Sequence, residues 1–340
     1  MRAALLYGPG DLRIEEVETP TPGEHEVLVR VRCVGICPSD VRVYEGIYKR
    51  RVASYGRESF GLFGHEWSGE VVDVGGSVVG FSVGDRVVPE IIIPCGTCRP
   101  CRRGFTNLCV NKRNVIRGYA EYAKAPFENL LKIPDNVSYE EAAFSEPIAV
   151  CLHANEMASI RPGDVVLVIG SGPMGLINMQ ISKLSGASVI VSEVVEGRLE
   201  MARRMGADVV VNPTREDLAE RVREAAGGYG ADAVIVATGN KAAIEAAFES
   251  VGPAGTVVLF GGTYPPIKVE VDPNLIHYGE VRVVGSYDHL PVHMERALML
   301  LSRRSIDVRS LISHTFGLEQ LKEGFELVKT GRALKVVVKP

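Results

Sequence analysis

From residue 164 onward the chain repeats one rhythm, a short run of branched apolar residues followed by a stretch with helical spacing. This rhythm limits the fold more than any other feature. "DVVLVIG" reads as a buried strand, "PMGLINMQISKLSG" as a helix that opens at Pro173 and ends at Gly186, and "ASVIVSE" as the next strand. A helix around "RLEMARRMG", a strand "DVVVN", a helix "EDLAERVREAAG", a strand "DAVIVAT", a helix "KAAIEAAFESV" and the strands "GTVVLFGG" and "VRVVGSY" follow. Strands separated by crossover helices at this spacing predict an α/β fold with a doubly wound parallel sheet.

The chain before that point has a different texture. "EVLVRVRCVGIC", "SGEVVDVGGSV" and "GDRVVPEIII" are short apolar strands punctuated by glycine, the pattern of a mostly β domain with irregular loops. With 340 residues the chain exceeds what one core usually organises, so two domains are expected. The last fifty residues return to a helix, "MERALMLLSRRS", and end in the strand "ALKVVVKP". A net charge of −4 weighs against a nucleic-acid partner. The basic cluster Arg99, Arg102, Arg103, Lys112 and Arg113 reads as a solvated lobe. No apolar run is long enough to span a membrane, and "MRAALLYGPGDLRIEE" turns charged too early for a secretory signal. A cytoplasmic location is therefore expected, where thiols stay reduced and crowded cysteines are metal ligands before they are disulfides.

"VLVIGSGPMG" holds Gly170, Gly172 and Gly175 in a G-x-G-x-x-G pattern, directly after a strand and directly opening a helix. That context identifies a dinucleotide turn: the first glycine permits the tight bend, the second admits a pyrophosphate, and the third lets helix and strand pack closely. Pro173 and Met174 belong to the same turn, and Thr238 follows the strand "DAVIVAT". Glu193 ends the next strand, where an acid accepts from ribose hydroxyls and repels a 2′-phosphate. The expected cofactor is NAD in preference to NADP, with Arg198 close enough to alter the local field.

"CGTCRPCRRGFTNLC" sets Cys95, Cys98, Cys101 and Cys109 at C-x2-C-x2-C-x7-C spacing. Four thiolates complete the tetrahedral shell that zinc prefers and leave no place for substrate, so this loop is expected to be a structural staple. A catalytic zinc needs sparser, mixed ligands. Cys37 in "VGICPSD", His65 and Glu66 in "GLFGHEWSGE", and Glu146 in "FSEPIAVCLHA" supply sulfur, nitrogen and oxygen.

The order Cys37, "GHE", four clustered cysteines, "EPIAV" and "GSGPMG" resembles the zinc-dependent medium-chain alcohol dehydrogenases. It is most similar to the polyol (sorbitol, iditol) and threonine dehydrogenase branch, which carries Glu at the third metal position. The resemblance implies a GroES-like catalytic domain from residues 1–148 and 288–340, with a structural-zinc lobe at 94–110. It also implies a Rossmann domain at 149–287, an active site in the cleft, and two zinc ions per chain. The catalytic zinc is expected on Cys37, His65 and Glu146, with Glu66 as the exchange partner. Ser39 matches the residue that takes the alcohol proton, and Asp40 the acid that orients His65. The implied reaction moves a hydride from a secondary, polyol-like alcohol to NAD, with threonine or a simple alcohol as the alternative substrate. Assembly as a homotetramer or homodimer is expected, with "GTVVLFGG" and "VRVVGSY" as edge strands.

Three features depart from the family pattern. Arg42 stands where many relatives have a proton-carrying histidine, and arginine does not titrate. Pro38 removes a backbone donor beside the metal cysteine. "YEGIYKRRVASYGRESFG" is long and basic; it reads first as a solvated loop, and in a sharper form Lys49, Arg50, Arg51 or Arg57 would favour an acidic or phosphorylated polyol. Two rivals stand beside the dehydrogenase. A zinc-free reductase of the same superfamily would lack Cys37, His65 and Glu146. A zinc-stapled binding protein without turnover would keep the four-cysteine lobe and the fold, with NAD only as a ligand or not at all.

Overall fold

Val166, Leu167 and Val168 have no exposed surface. A strand in the middle of a parallel sheet is covered on both faces, which is why it reads as an unbroken apolar run. In the computed structural model, which describes residues 1–48, 55–59, 61 and 63–340, these residues lie near the centre of a six-stranded parallel sheet. Its order is Val209–Val211, Ser188–Ser192, Val165–Ile169, Ala231–Val236, Val251–Leu259, Arg282–Gly285. In chain order this is 3-2-1-4-5-6, so the winding reverses beside Val165–Ile169, and the glycine turn leaves the carboxyl end of that strand. "GTVVLFGG" is an inner strand of this sheet, bonded on both sides, so of the two expected edge strands only Arg282–Gly285 lies at the edge. The unit that contains the sheet is Pro147–His289.

The second unit joins Met1–Glu146 to Leu290–Pro340. The sequence-based boundaries are 148/149 and 287/288. Its main sheet runs Ile312–Gly317, Lys335–Lys339, Glu26–Gly35, Glu66–Val74, Arg86–Pro89, Leu130–Lys132, with Tyr122–Pro126 also bonded to Glu26–Gly35. Under it Trp67, Phe63, Tyr119 and Phe325 are buried, with Tyr119 edge-on to Phe325 at 5.7 Å. The final strand Lys335–Lys339 pairs antiparallel with Glu26–Gly35, so the chain end is part of this sheet. "GDRVVPEIII" divides into Arg86–Pro89 in the main sheet and Ile92–Ile93, which pairs with Arg113–Asn114 at the base of the cysteine lobe. The sequence reading lacks several helices, among them Ser145–Ala158, Pro273–Gly279 and Leu321–Lys329. Among the described residues no helix is long and apolar enough to cross a membrane.

Candidate metal centre and cofactor turn

Cys37 follows the strand Glu26–Gly35 and caps the helix Pro38–Tyr44. Pro38 takes the first helical position, where its missing N–H leaves no bond unmade. The Cys37 Sγ accepts from the Ser39 amide at 3.5 Å and from the Ser39 hydroxyl at 3.3 Å. His65 lies immediately before the neighbouring strand Glu66–Val74, whose first residue, Glu66, pairs with Gly35. One donor atom each from Cys37, His65 and Glu66 lies within 4.8 Å of the other two. Glu146, in the first turn of the helix Ser145–Ala158, is not in that group. The carboxylate beside the sulfur and the imidazole is therefore that of Glu66, the residue expected as exchange partner. Spacing in the sequence places neither glutamate; the strand pairing brings Glu66 to the group.

Asp40 is fully buried behind His65, its Oδ1 3.2 Å from Nδ1. It accepts from the Gly64 amide at 3.2 Å, the Tyr119 hydroxyl at 2.9 Å and the Cys37 amide at 3.4 Å. Burial opposes the charge of Asp40, yet His65, Gly64 and Tyr119 hold the carboxyl below its usual range. Burial would likewise lower the imidazole, but Asp40 and Cys37 outweigh it and hold His65 well above the ordinary histidine value. With Nδ1 turned to Asp40, the other ring nitrogen is left for the sulfur or for a metal. Tyr119 gave no signal in the sequence. Its tie to a buried acid 79 positions away exists only in the fold.

A second unread residue completes the group. Lys335 is 4 % exposed and its ammonium pairs with Glu66 Oε2. Burial disfavours that charge, but Glu66, Cys37 and Glu146 together hold the ammonium above the ordinary lysine range. A soft sulfur, a nitrogen and an oxygen converging with one side of the histidine already braced fit an open zinc site.

The four cysteines of the lobe also fall within 4.8 Å of one another. Gly96 and Gly104 take positive φ of 71° and 85°, turning the chain so that amides face sulfur: Cys95 N to Cys109 Sγ at 3.3 Å, and Cys98 N to Cys95 Sγ at 3.4 Å. Hydrogen bonds from Thr97 draw the Cys95 thiol down to about 5, while desolvation and the neighbouring sulfurs push Cys101 up to about 12. Four thiols this close cannot all ionise without a cation among them, which fits a closed zinc shell. The basic residues of the lobe are exposed or half-buried. Cys33, buried in the sheet, is pushed up to about 12 by desolvation and is an inert packed thiol.

In the other unit, Gly170 has φ +97°, and a side chain at Gly175 would collide with the Gly170 carbonyl. A Cβ at Gly172 would meet nothing within 4 Å, so the backbone there is open to a phosphate. Pro173 opens the helix Pro173–Leu184, with Met174 in its first turn. Glu193 is anchored by four donors: the Ser171 amide at 3.0 Å, the Ser171 hydroxyl at 3.3 Å, and the Val194 and Val195 amides at 2.8 and 3.1 Å. Arg198 lies 3.9 Å from the same carboxylate, and the Thr238 hydroxyl accepts from the Asn240 amide at 3.3 Å. Arg42 reaches the Tyr48 hydroxyl at 3.5 Å. Of the basic residues considered for an acidic substrate, Arg57 is exposed, whereas Lys49, Arg50 and Arg51 lie outside the described residues.

The chain is similar to known proteins over nearly its whole length. A GroES-like alcohol dehydrogenase domain matches residues 23–135, and a zinc-binding dehydrogenase domain matches residues 173–303. The chain is 33% identical to the sorbitol dehydrogenase of Halalkalibacterium halodurans, over 98% of this chain and 97% of that protein. It is 37% identical to the L-threonine 3-dehydrogenase of Pyrococcus abyssi, over 99% and 97%. A zinc-binding dehydrogenase of Sinorhizobium meliloti 1021, solved with NADP bound, matches with a TM-score of 0.92 at 31% identity, over 100% of this chain and 99% of that one.

Proposed function

Since the chain belongs to the zinc-binding, GroES-like alcohol dehydrogenase family, we propose that it oxidises a secondary hydroxyl of a polyol-like substrate and passes the hydride to NAD. The observation that carries this reading is the convergence of Cys37, His65 and Glu66 within 4.8 Å, with Asp40 set 3.2 Å behind the imidazole. Bound zinc supplies Lewis acidity toward the hydroxyl, and bound NAD supplies the hydride acceptor.

Every other part falls to the protein. Cys37, His65 and one carboxylate, Glu66 or Glu146, hold the metal and leave a position for substrate. Asp40 keeps His65 in one orientation and tautomer. Ser39, whose hydroxyl already lies against the Cys37 sulfur, takes the substrate proton. The Arg42 guanidinium offers donors and no acceptor, so the proton leaves by water or another group. Cys95, Cys98, Cys101 and Cys109 close on a second, structural zinc. Gly170, Gly172 and Gly175 seat the pyrophosphate, with Pro173, Met174 and Thr238 beside it. Glu193 receives the ribose, and Arg198 lies along its outer edge. Threonine is the second substrate class, supported by the 37% identity to a threonine dehydrogenase. The exposed edge Arg282–Gly285 is the proposed contact of a homodimer or homotetramer.

The test is a screen of NAD reduction over polyols, sugar phosphates, amino alcohols and simple alcohols, together with zinc content. The expected result is two zinc ions per chain and highest kcat/KM on a polyol; one zinc and no turnover on any alcohol overturns the reading. In the same assay Glu193→Ala lowers the NAD-to-NADP ratio of kcat/KM by about tenfold or more, because a carboxylate facing a 2′-phosphate is repulsive. Glu193 also props the turn, so activity falls with both cofactors and only the ratio is diagnostic.

A further inference from the structure

Lys335 stands on the strand Lys335–Lys339, Gly35 at the end of the strand beside it, and Glu66 at the start of the strand beyond. Gly35 pairs with Val337 on one side and with Glu66 on the other, and successive side chains alternate faces. Lys335, two residues before Val337, therefore shares a face with Gly35 and Glu66. Its side chain must cross the middle strand to reach the carboxylate, and the residue under that path has no side chain. A Cβ on Gly35 would collide with Glu66 Oε2 and stand 2.9 Å from Lys335 Cε. The lane and the ion pair are thus two separate features of the backbone and the side chains, built for each other.

A buried carboxylate needs a cation, and removing one partner of a buried pair leaves an uncompensated charge. Glu66 is 2 % exposed and has two claimants for that role, the ammonium of Lys335 and a metal ion at Cys37 and His65. The two cations repel each other and draw on the same carboxylate charge, so each weakens the other's hold on it.

We propose that Lys335 is a positioning residue that holds Glu66 off the metal, so that the affinity of the catalytic site for zinc is set by competition between this ammonium and the ion. The inference rests on the zinc reading of Cys37, His65 and Glu66. Lys335 balances the charge of the site when the metal is away, and it weakens the carboxylate's hold when the metal is present.

The test reads metal affinity, with no turnover involved. Full-length protein, stripped of its more weakly held zinc by dialysis against dipicolinate, is titrated with zinc in competition with a chromogenic chelator. K335M is expected to bind this second zinc about tenfold more tightly or better, on the scale of effects that outer partners exert on a metal site, while K335R stays near the parent. In the E66Q background the gain from K335M is expected to vanish, because the coupling runs through the carboxylate. K335Q, neutral but able to hydrogen-bond Glu66, repeats the measurement if the methionine variant does not fold. Equal or weaker affinity in both neutral variants overturns the proposal, as does the same gain with and without Glu66. Parent protein that takes up only one zinc overturns the catalytic-site reading itself, a different result from two zinc ions with an indifferent Lys335.

Discussion

The cysteine lobe and the Cys37 group both gather metal-binding atoms within 4.8 Å, yet they are built at different levels of the fold. All four donors of the lobe lie between Cys95 and Cys109, and their geometry comes from local turns and from amides that face sulfur. The donors of the other group come from the end of one strand and the start of its neighbour, Cys37 just after Glu26–Gly35 and His65 and Glu66 where Glu66–Val74 begins, and their geometry comes from the sheet that pairs Gly35 with Glu66. A closed set of like ligands needs only a short loop. An open set of unlike ligands needs a frame that holds each donor while one position stays vacant.

The sharpest way to break this contrast is to remove one sulfur from each group. Cys37→Ser is expected to lower kcat/KM by more than about 10²-fold, beyond what loss of an outer partner costs, with little change in melting temperature. Cys101→Ser is expected to release one zinc and to open the lobe to trypsin at Arg99, Arg102 and Arg103, with a smaller loss of kcat/KM. Zinc content, limited proteolysis and kinetics on the two variants decide it. A Cys101 variant that keeps a protease-resistant lobe but loses all turnover would place the lobe in the chemistry and end the distinction.

A smaller effect is expected one shell further out, where only the open group has support. Asp40 touches His65, Gly64, Tyr119 and Cys37 and contacts no atom of the lobe's cysteines in the bonds described. Asp40→Asn keeps the shape but loses the charge that fixes the imidazole, and is expected to cost about 10–100-fold in zinc affinity or activity at the open site. The structural zinc should be retained. Equal weakening of both zinc sites would mean that Asp40 acts on the whole unit rather than on His65.

The same division explains what the sequence reveals. The lobe is legible because its signal is local, four cysteines at fixed spacing. The glycine turn is legible because the strand before it and the helix after it are its immediate neighbours in the chain. The open group is legible only in part. Cys37 and His65 show through residue type and family resemblance, but which carboxylate lies beside them depends on strand register, and register is not written in composition. Lys335 is hidden further still: nothing in "ALKVVVKP" marks it, and its burial follows only from the pairing of Val337 and Val338 with Gly35 and Val34, far back in the chain. "GTVVLFGG" misled in the same way, since an apolar run does not tell an inner strand from an outer one.

The smallest expected effect concerns the frame itself. Glu141 is 3 % exposed in the short helix Tyr139–Ala142, whose Tyr139 carbonyl accepts from Ser68 at 2.6 Å on the strand that begins with Glu66. It accepts from the Ser138 amide at 2.8 Å and pairs with Arg304 and, at 2.8 Å, with Arg309. Burial opposes its charge, but the Ser138 amide and Arg309 hold its carboxyl below the usual value of 4.5. A depressed folded-state pKa gives stability that is fully present above the unfolded value and is lost as pH falls through the folded one. Both arginines are largely exposed, so screening leaves the pairing weak and the buried hydrogen bonds carry most of the effect. Glu141→Gln is therefore expected to cost about 1 kcal/mol at neutral pH, with the gap from the parent closing as pH falls below 4.5. Urea unfolding at a series of pH values, followed by release of the open-site zinc and by proteolysis of the lobe, checks both halves of the contrast. Zinc should leave the open site earlier in the variant while the lobe stays intact, because Glu141 braces the strands that carry Glu66 and makes none of the turns that carry the four cysteines.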